Sequence, residues 1–570
     1  MTKHLHLSIS HFVNWIILED VTFRQASSER LRCLIANGGE PASQLLPQHH
    51  TTVCSWIRHT FESRREIIFG LVKGAKRCVY LSFDLWTASN GFHYIGIVGH
   101  FVDGDGKKQD VLLGLPRLIG PHSGENMASY VKEIIDKYEV GSKLGYFMLD
   151  NAESDDTCLG ALARWFPMDV SSRPLRYIGH IINLVVRAVI SGPTSVNSRL
   201  RFSKLQMSSV LTSGPRRDRS GGSITSLRTF AERTSGDKHC DNCRLRSQGM
   251  MPFSRWRLLS MARRPFRLLA DRDWPILALE LRAAIELYQF RWQIPKHDPG
   301  HRDLSKDFLT AMDWVELQRF YDFLKPFYIL TKTMEGNASA PGAEGDHGAV
   351  WETLKTMDYL FVKFTQAADD TRFEEASHFK SGIDCGWAKL EDYYVKTDRT
   401  PVYRAALALH PSYGYDYFER HWKVAMDKPQ WYNDMQSAVG TLFDEYAREA
   451  EVETQAQAGS FGKRSLRSLN TQRKKTKTVS ELDLFQTRAI YPQELDVADP
   501  IHWWNRHQLE YPVLYRMALD LFSIPGMSAE CERVFSQTKK MITDERNRLA
   551  PKVIEADQLQ KHWLMRGLVV

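Results

Sequence analysis

The chain has 570 residues, 43% hydrophobic and 25% charged, which excludes a wholly disordered polypeptide and leaves room for roughly two to four domains. Lys and Arg number 75 against 68 Asp and Glu, and the resulting net charge of +7 permits a polyanionic partner without requiring one. No apolar run approaches the roughly 18 to 20 residues of a membrane span, and Met1 to Ile17 lacks a signal-peptide pattern, so the expectation is an intracellular protein with no membrane partner. The eight cysteines are scattered, which argues for reduced thiols rather than a disulfide framework. Only Cys240 and Cys243 are closely spaced, and no second Cys or His pair follows, so no structural zinc is expected.

In chain order, residues 1–75 read as a mostly helical leading module, with Phe12, Trp15, Ile16, Ile57, Phe61, Ile67, Ile68 and Leu71 at helical spacings. From Arg77 the period changes, and residues 76–192 read as the first part of an α/β core. Cys78 to Asp84 is a β-branched and aromatic run suited to a central strand, and 94–102 and 111–119 predict two more strands. Asn90-Gly91 and Gly104-Asp105-Gly106 suit the hairpin turns between them. Gly124 to Tyr138 predicts a helix through Met127, Val131, Ile134 and Ile135. Residues 144–149 predict a strand, 156–165 a helix, 175–178 a short strand and 180–190 a helix. Three hairpin-linked strands, then helix, strand, helix, strand and helix, is the element order of an RNase H-like fold with a mixed sheet.

Residues 193–275, crowded with Ser, Gly and Arg, show little period of either kind and are expected to be poorly ordered. Helical patterning returns over 276–450, in 276–288, 314–334, 350–364 and 401–422, predicting a large all-α insertion and an α-rich chain overall. Residues 451–485 read as a basic, solvated linker. Its Lys463-Arg464 and Arg473-Lys474-Lys475-Thr476-Lys477 clusters also fit a nuclear localisation signal, so the expected location is the nucleus. Residues 486–570 read as helical. Their Leu509, Val513, Met517, Leu521, Val553 and Trp563 are more apolar surface than one small module needs, and part of it is expected to bury a partner copy.

Asp84 and Asp150 each end a strand-like run, which puts both carboxylates at one edge of a sheet if those strands are neighbours. Such a pair can hold two divalent metals for phosphoryl transfer, and hard oxygen donors suit Mg²⁺ or Mn²⁺. On pattern alone, strand-end carboxylates satisfying turn amides are the plainer reading.

The surrounding text changes that balance. Ser82-Phe83-Asp84-Leu85-Trp86-Thr87, Gly120-Pro121-His122-Ser123-Gly124-Glu125-Asn126, Leu149-Asp150-Asn151-Ala152-Glu153 and Gly179-His180-Ile181-Ile182-Asn183-Leu184 occur in that order. Near the C-terminus come Asp499-Pro500-Ile501, Trp503-Trp504, Ala518-Leu519-Asp520, Ser528-Ala529-Glu530-Cys531-Glu532-Arg533-Val534-Phe535-Ser536 and Arg546-Asn547-Arg548-Leu549. Over roughly residues 10–190 and 276–570 the chain resembles the hAT transposase superfamily. The resemblance implies a DDE triad on an RNase H-like core, with the third acid beyond a long helical insertion. Matched residue by residue, the catalytic and metal-holding triad is Asp84, Asp150 and Glu532. Ser528 can cap a helix whose first turn favours acids anyway, a plain account that competes for Glu530. Arg533 reads as active-site support, pairing a carboxylate or a DNA phosphate, or as cover for apolar surface. His180 is placed near the scissile phosphate by the resemblance and reads equally as a capping or core histidine. Trp86, Trp503 and Trp504 read as core.

The chain also departs from the pattern. Many relatives begin with a BED-type zinc finger, whereas only Cys33 and Cys54 precede residue 77 here, so loss of sequence-specific end recognition is expected. Tyr177 stands where relatives usually carry Cys, and only Arg255-Trp256 remains of a Thr-Arg-Trp-Asn-Ser string. Two readings result. One is a DNA transposase that cleaves and transfers strands and dimerises through its C-terminal region. The other is a catalytically inactive descendant acting as a nuclear DNA-binding and dimerisation factor.

Overall fold

The computed structural model describes residues 2–36, 46–88, 91–150, 153–167, 173–191, 282–292, 309–334, 348–370, 377–460, 480–488, 490–494, 497, 499–527, 529–542 and 549–570. The expectations placed on residues 193–275, on Cys240 and Cys243, on Ser528 and on the basic clusters at 463–477 lie outside them.

The leading segment forms α1 (Thr2–Leu18), α2 (Phe23–Ala26), α3 (Glu29–Ala36) and α4 (His50–Lys73). Then come β1 (Val79–Thr87), β2 (His93–Val102), β3 (Lys108–Gly114), β4 (Arg117–Leu118), α5 (Gly124–Lys137), β5 (Leu144–Leu149), α6 (Glu153–Leu162), β6 (Pro174–Arg176) and α7 (Ile178–Ser191). Further helices are α8 (Arg282–Trp292), α9 (Ala311–Met334), α10 (Glu352–Ala368), α11 (Ser377–Thr397), α12 (Val402–Ala408), α13 (Gly414–Phe418) and α14 (Pro429–Ser460). The C-terminal region adds α15 (Glu481–Thr487), α16 (Pro500–Arg506), α17 (Pro512–Ser523), α18 (Ala529–Met541) and α19 (Pro551–Met565). Two expectations differ in detail. The helical run expected over 401–422 is split into α12, α13 and a π turn at Glu419–Ala425, because Pro411 has no N–H to continue the ladder. The linker reading from 451 is overtaken as far as Ser460, where α14 continues, while residues 451–455 are exposed as the solvated reading expects.

The chain divides into two compact units, one of Met1–His180, Thr333–Lys355 and Thr397–Val570, the other of Ile181–Lys332 and Thr356–Lys396. The first holds a mixed sheet of order β3-β2-β1-β5-β6, with β4 paired to β2. β1 runs antiparallel to β2 and parallel to β5, and β5 runs parallel to β6. β1 is buried along Val79 to Phe83, as a central strand covered on both faces should be. α5 starts where the Ser123 side chain accepts from Asn126 N, and it buries Met127, Ala128, Val131, Ile134 and Ile135 on one stripe. Gly124 lets that start lie against α6, since a Cβ there would stand 2.1 Å from the Ser154 carbonyl oxygen.

One apolar core joins the two ends of the chain to the sheet. Val13, Ile17, Val53 and Ile57 from the leading helices share it with Leu81, Ile97 and Leu112 from the strands and with Cys531, Val534, Ile554 and Trp563 from the C-terminal helices. Trp563 stacks on Phe61 at 5.6 Å between ring centroids and donates its indole N–H to the Leu112 carbonyl. Trp503 and Trp504 are buried, donating to Glu494 and to the Leu409 carbonyl, which fits the core reading. Leu509 is instead 94% exposed. Asp520, 1% exposed, accepts from the Arg77 guanidinium, Cys78 N and Tyr446 OH, tying α17 and α14 to the start of β1.

The second unit is helical throughout its described residues, and Phe323, Phe327, Phe364 and Phe379 pack face to edge within it. Tyr394 donates to the buried Asp358 carboxylate there. Among the described residues, no helix is long and apolar enough to cross a membrane.

Candidate active site

β1 and β5 are adjacent and parallel, with Ser82 opposite Met148. Two residues further along, β1 carries Asp84 and the chain leaving β5 carries Asp150. Side chains alternate along a strand, so Asp84 projects to the same face as Ser82, and Asp150 continues the matching line from Met148. Both acids are half-buried at the carboxyl edge of the sheet. β1 runs on past Asp84 to Thr87, so Asp84 does not end its strand as expected, and the amide 2.7 Å from one of its carboxylate oxygens, Leu85 N, belongs to β1 and not to a turn.

α18 lies across β1 and β2 on the Ser82 face. Its Cys531 thiol is buried 3.7 Å from Ser82 Oγ and 3.8 Å from the Gly96 carbonyl, and Phe535 stacks on Trp86. Gly96 sits opposite Asp84 in the register, and a Cβ there would come within 2.9 Å of the Phe535 ring. The missing side chain thus lets the helix approach the strand beside Asp84. Glu532 follows Cys531 and faces solvent. Glu530, the rival acid, is ion-paired to Arg533 one turn on and to Arg566, whose Nη2 is 2.6 Å away. Arg533 therefore spends a guanidinium bond on Glu530. His180 lies in the first turn of α7, half-buried, just after the strand beside β5.

Burial pushes the Cys531 thiol up, and the charges of Asp84, Glu530 and Glu532 push it further. Asp155 on α6 is 5% exposed and is pushed up to about 10, first by burial, then by its hydrogen bond to Asp150 and the charges of Asp150 and Asp84, against Arg176. Its Oδ2 is buried and has no hydrogen-bond partner. Asp155 was not singled out in the sequence. The acid run after Asp150 was its signal, but only the fold shows which member turns inward. Asp156 instead pairs with Arg176, which also donates to the Asp150 carbonyl.

The donor set is hard oxygen, and an orphaned buried carboxylate oxygen beside Asp150 is what a cation would satisfy, so the residues suit Mg²⁺ or Mn²⁺ in kind. Among the described residues, however, no three His, Cys, Asp or Glu side chains are arranged to hold one ion, so ligation requires their side chains to rotate.

Two family profiles match the chain. The hAT family C-terminal dimerisation region covers residues 481–564, and the ZBED1 RNase-like domain covers residues 82–171. Among similar proteins, "Putative transcriptional regulator tpeD" of Talaromyces stipitatus is 21% identical over 96% of this chain and 60% of its own length. The zinc finger BED domain-containing protein DAYSLEEPER of Arabidopsis thaliana is 22% identical over 89% of this chain and 67% of its own. "Putative AC transposase" of Zea mays is 20% identical over 90% of this chain and 60% of its own. The chain thus spans about 60% of the fungal and maize relatives. With the sheet edge and α18 lying inside the two matched regions, the chain fits the hAT superfamily of transposases and proteins derived from them.

Proposed function

We propose that this chain is the catalytic body of an hAT-type DNA transposase or of a protein derived from one. It binds DNA, cuts and joins strands by phosphoryl transfer with Mg²⁺ or Mn²⁺, and pairs with a second copy through its C-terminal region. The placement of Asp84 and Asp150 on neighbouring parallel strands, with the helix that carries Glu532 packed over β1 through Cys531, supports this reading. Divalent ions held by these carboxylates would activate the attacking oxygen and stabilise the charge on the leaving oxygen. The chain's own part is to hold the acids in place. β1 holds Asp84 within its pairing to β2, Asp150 follows the end of β5, Asp155 backs Asp150 from α6, and Glu532 faces the solvent from which DNA arrives. His180, in the first turn of α7, is the residue assigned to contact a phosphate oxygen. Residues 276–450, whose described elements are helices, would be an insertion between the second and third acids, and the protein works in the nucleus, where its substrate lies.

A second reading, a DNA-binding and dimerising factor without cleavage, is favoured by the absence of a ready ligating trio among the described residues. Incubating the purified chain and its Glu532→Gln variant with supercoiled plasmid and Mn²⁺ separates the two. Cleavage predicts open circles with the wild type and none with the variant, whose amide keeps the shape but removes a negative ligand. Equal nicking by both would reject the triad. DNA binding by both without nicking would select the second reading.

A further inference from the structure

A line of hydrogen bonds crosses three strands on the face that carries Asp84. The Asp110 carboxylate on β3 lies 2.6 Å from His100 Nδ1 on β2, and His100 Nε2 lies 2.8 Å from Ser82 Oγ on β1. Ser82 Oγ is in turn 3.7 Å from the Cys531 thiol on α18. Asp110 stands directly opposite His100 in the register, and His100 is opposite Tyr80, diagonal to Ser82. The carboxylate accepts from Nδ1–H, so the neutral ring accepts from the serine hydroxyl at Nε2, and the serine oxygen remains free to accept from the thiol. The thiol also lies 3.9 Å from the Ser82 carbonyl and 3.8 Å from the Gly96 carbonyl, so the serine oxygen is one of three acceptors within its reach.

The connectivity is that of a nucleophilic triad, but Ser82 is 0% and His100 1% exposed. No substrate can reach the serine, so the line acts on what it touches. At its far end is Cys531, the residue before Glu532 and the point where α18 meets the backbone of both β1 and β2. At its near end, Ser82 is two residues from Asp84 on the same face. We propose that Asp110, His100, Ser82 and Cys531 form a positioning relay that seats α18 on β1 and so sets Glu532 relative to Asp84. His100 is then a positioning residue of the site, although it touches none of the three acids. A buried polar line of this kind selects one register of helix on sheet, where apolar contacts alone would allow several.

The inference rests on the proposed triad for its functional consequence, and on geometry alone for the seating of α18. Peptide-level hydrogen exchange on the full chain reads the seating, and Mn²⁺ titration followed by electron paramagnetic resonance reads the consequence. His100→Gln keeps a polar atom at the Nε2 position toward Ser82, whereas His100→Asn keeps only the contact to Asp110. The relay predicts that His100→Ala and His100→Asn speed exchange across residues 529–541 about tenfold and weaken Mn²⁺ binding by a similar factor, while His100→Gln restores both and α4 is unchanged throughout. Unchanged protection of 529–541 in His100→Ala, or equal loss in α4, overturns it. Should His100→Ala fail to fold, Ser82→Ala removes the hydroxyl that links His100 to Cys531, leaves the thiol's contacts to the Ser82 and Gly96 carbonyls, and must give the same local loosening. If the exchange pattern appears but the wild type binds no Mn²⁺, the metal reading fails and the relay stands.

Discussion

Single residues decide how this site reads. Glu530 and Glu532 are two positions apart in one helix turn, and spacing alone offers no ground to prefer either. The resemblance favoured Glu532, and in the fold Glu530 is ion-paired to Arg533 and Arg566. That the strands of Asp84 and Asp150 are neighbours was legible from the two apolar runs, but the end of the first was misplaced, since Leu85, Trp86 and Thr87 carry β1 on past Asp84. Asp155 and His100 were not legible, because a buried polar side chain looks in sequence like any surface one until its partners are known. His410 is a further buried case. It lies between Trp351 and Tyr413, its Nδ1 accepts from Ser412 N, and burial followed by the charge of Lys355 lowers its pKa to about 3. The folded ring stays neutral while the unfolded ring takes a proton near its ordinary value of 6.5. The stability it contributes is therefore complete above that value and is lost as pH falls from 6.5 toward 3, with a slope of at most about 1.4 kcal/mol per pH unit. Thermal unfolding midpoints between pH 7 and 5 should fall less steeply in His410→Asn than in the wild type, although the variant starts lower for want of ring contacts. Parallel curves would show that another group carries the acid sensitivity.

At the scale of elements, the strands were the most readable part, since runs such as Tyr94 to Val102 are apolar enough to be buried on both faces. The predicted third strand over 111–119 is two pieces, β3 and β4, because the chain breaks its pairing at Leu115-Pro116. The end of α14 was misread for a physical reason. Ala447 to Ala458 is rich in Ala, Glu and Gln, residues that favour helix strongly while burying little, so low hydrophobicity there signalled exposure rather than absence of structure. Contacts between elements were beyond reach of the text. Gly124 is the clearest instance, as its role depends on the Ser154 carbonyl and Cys158 N of a different helix. Gly124→Ala should force α5 away from α6 and cost about 1 to 3 kcal/mol, read as a lower urea midpoint with unchanged slope. An unchanged midpoint would mean that the two helices have room to spare.

For the molecule as a whole, the leading helices expected as a separate module share one core with the sheet and with α18 and α19. Trp563 is the knot of that core, stacked on Phe61 from α4 and bonded to the backbone of β3. Trp563→Ala should cost about 3 to 5 kcal/mol and loosen α4, β3 and α19 together, since the cavity faces all three. A calorimetric trace in which only one early, small transition moved would argue that α19 docks as an independent piece instead.

The shared core also has a temporal side. A ribosome delivers Asp84 and Asp150 early and Glu532 only after the long helical stretch between them, so a nascent or prematurely ended chain holds two acids without the third. The strand faces that α18 and α19 cover wait open through that interval, a span in which chaperones have something to hold. Under the proposed triad the site is incomplete until translation has passed Glu532, and a message broken anywhere upstream of it yields a protein without the third acid.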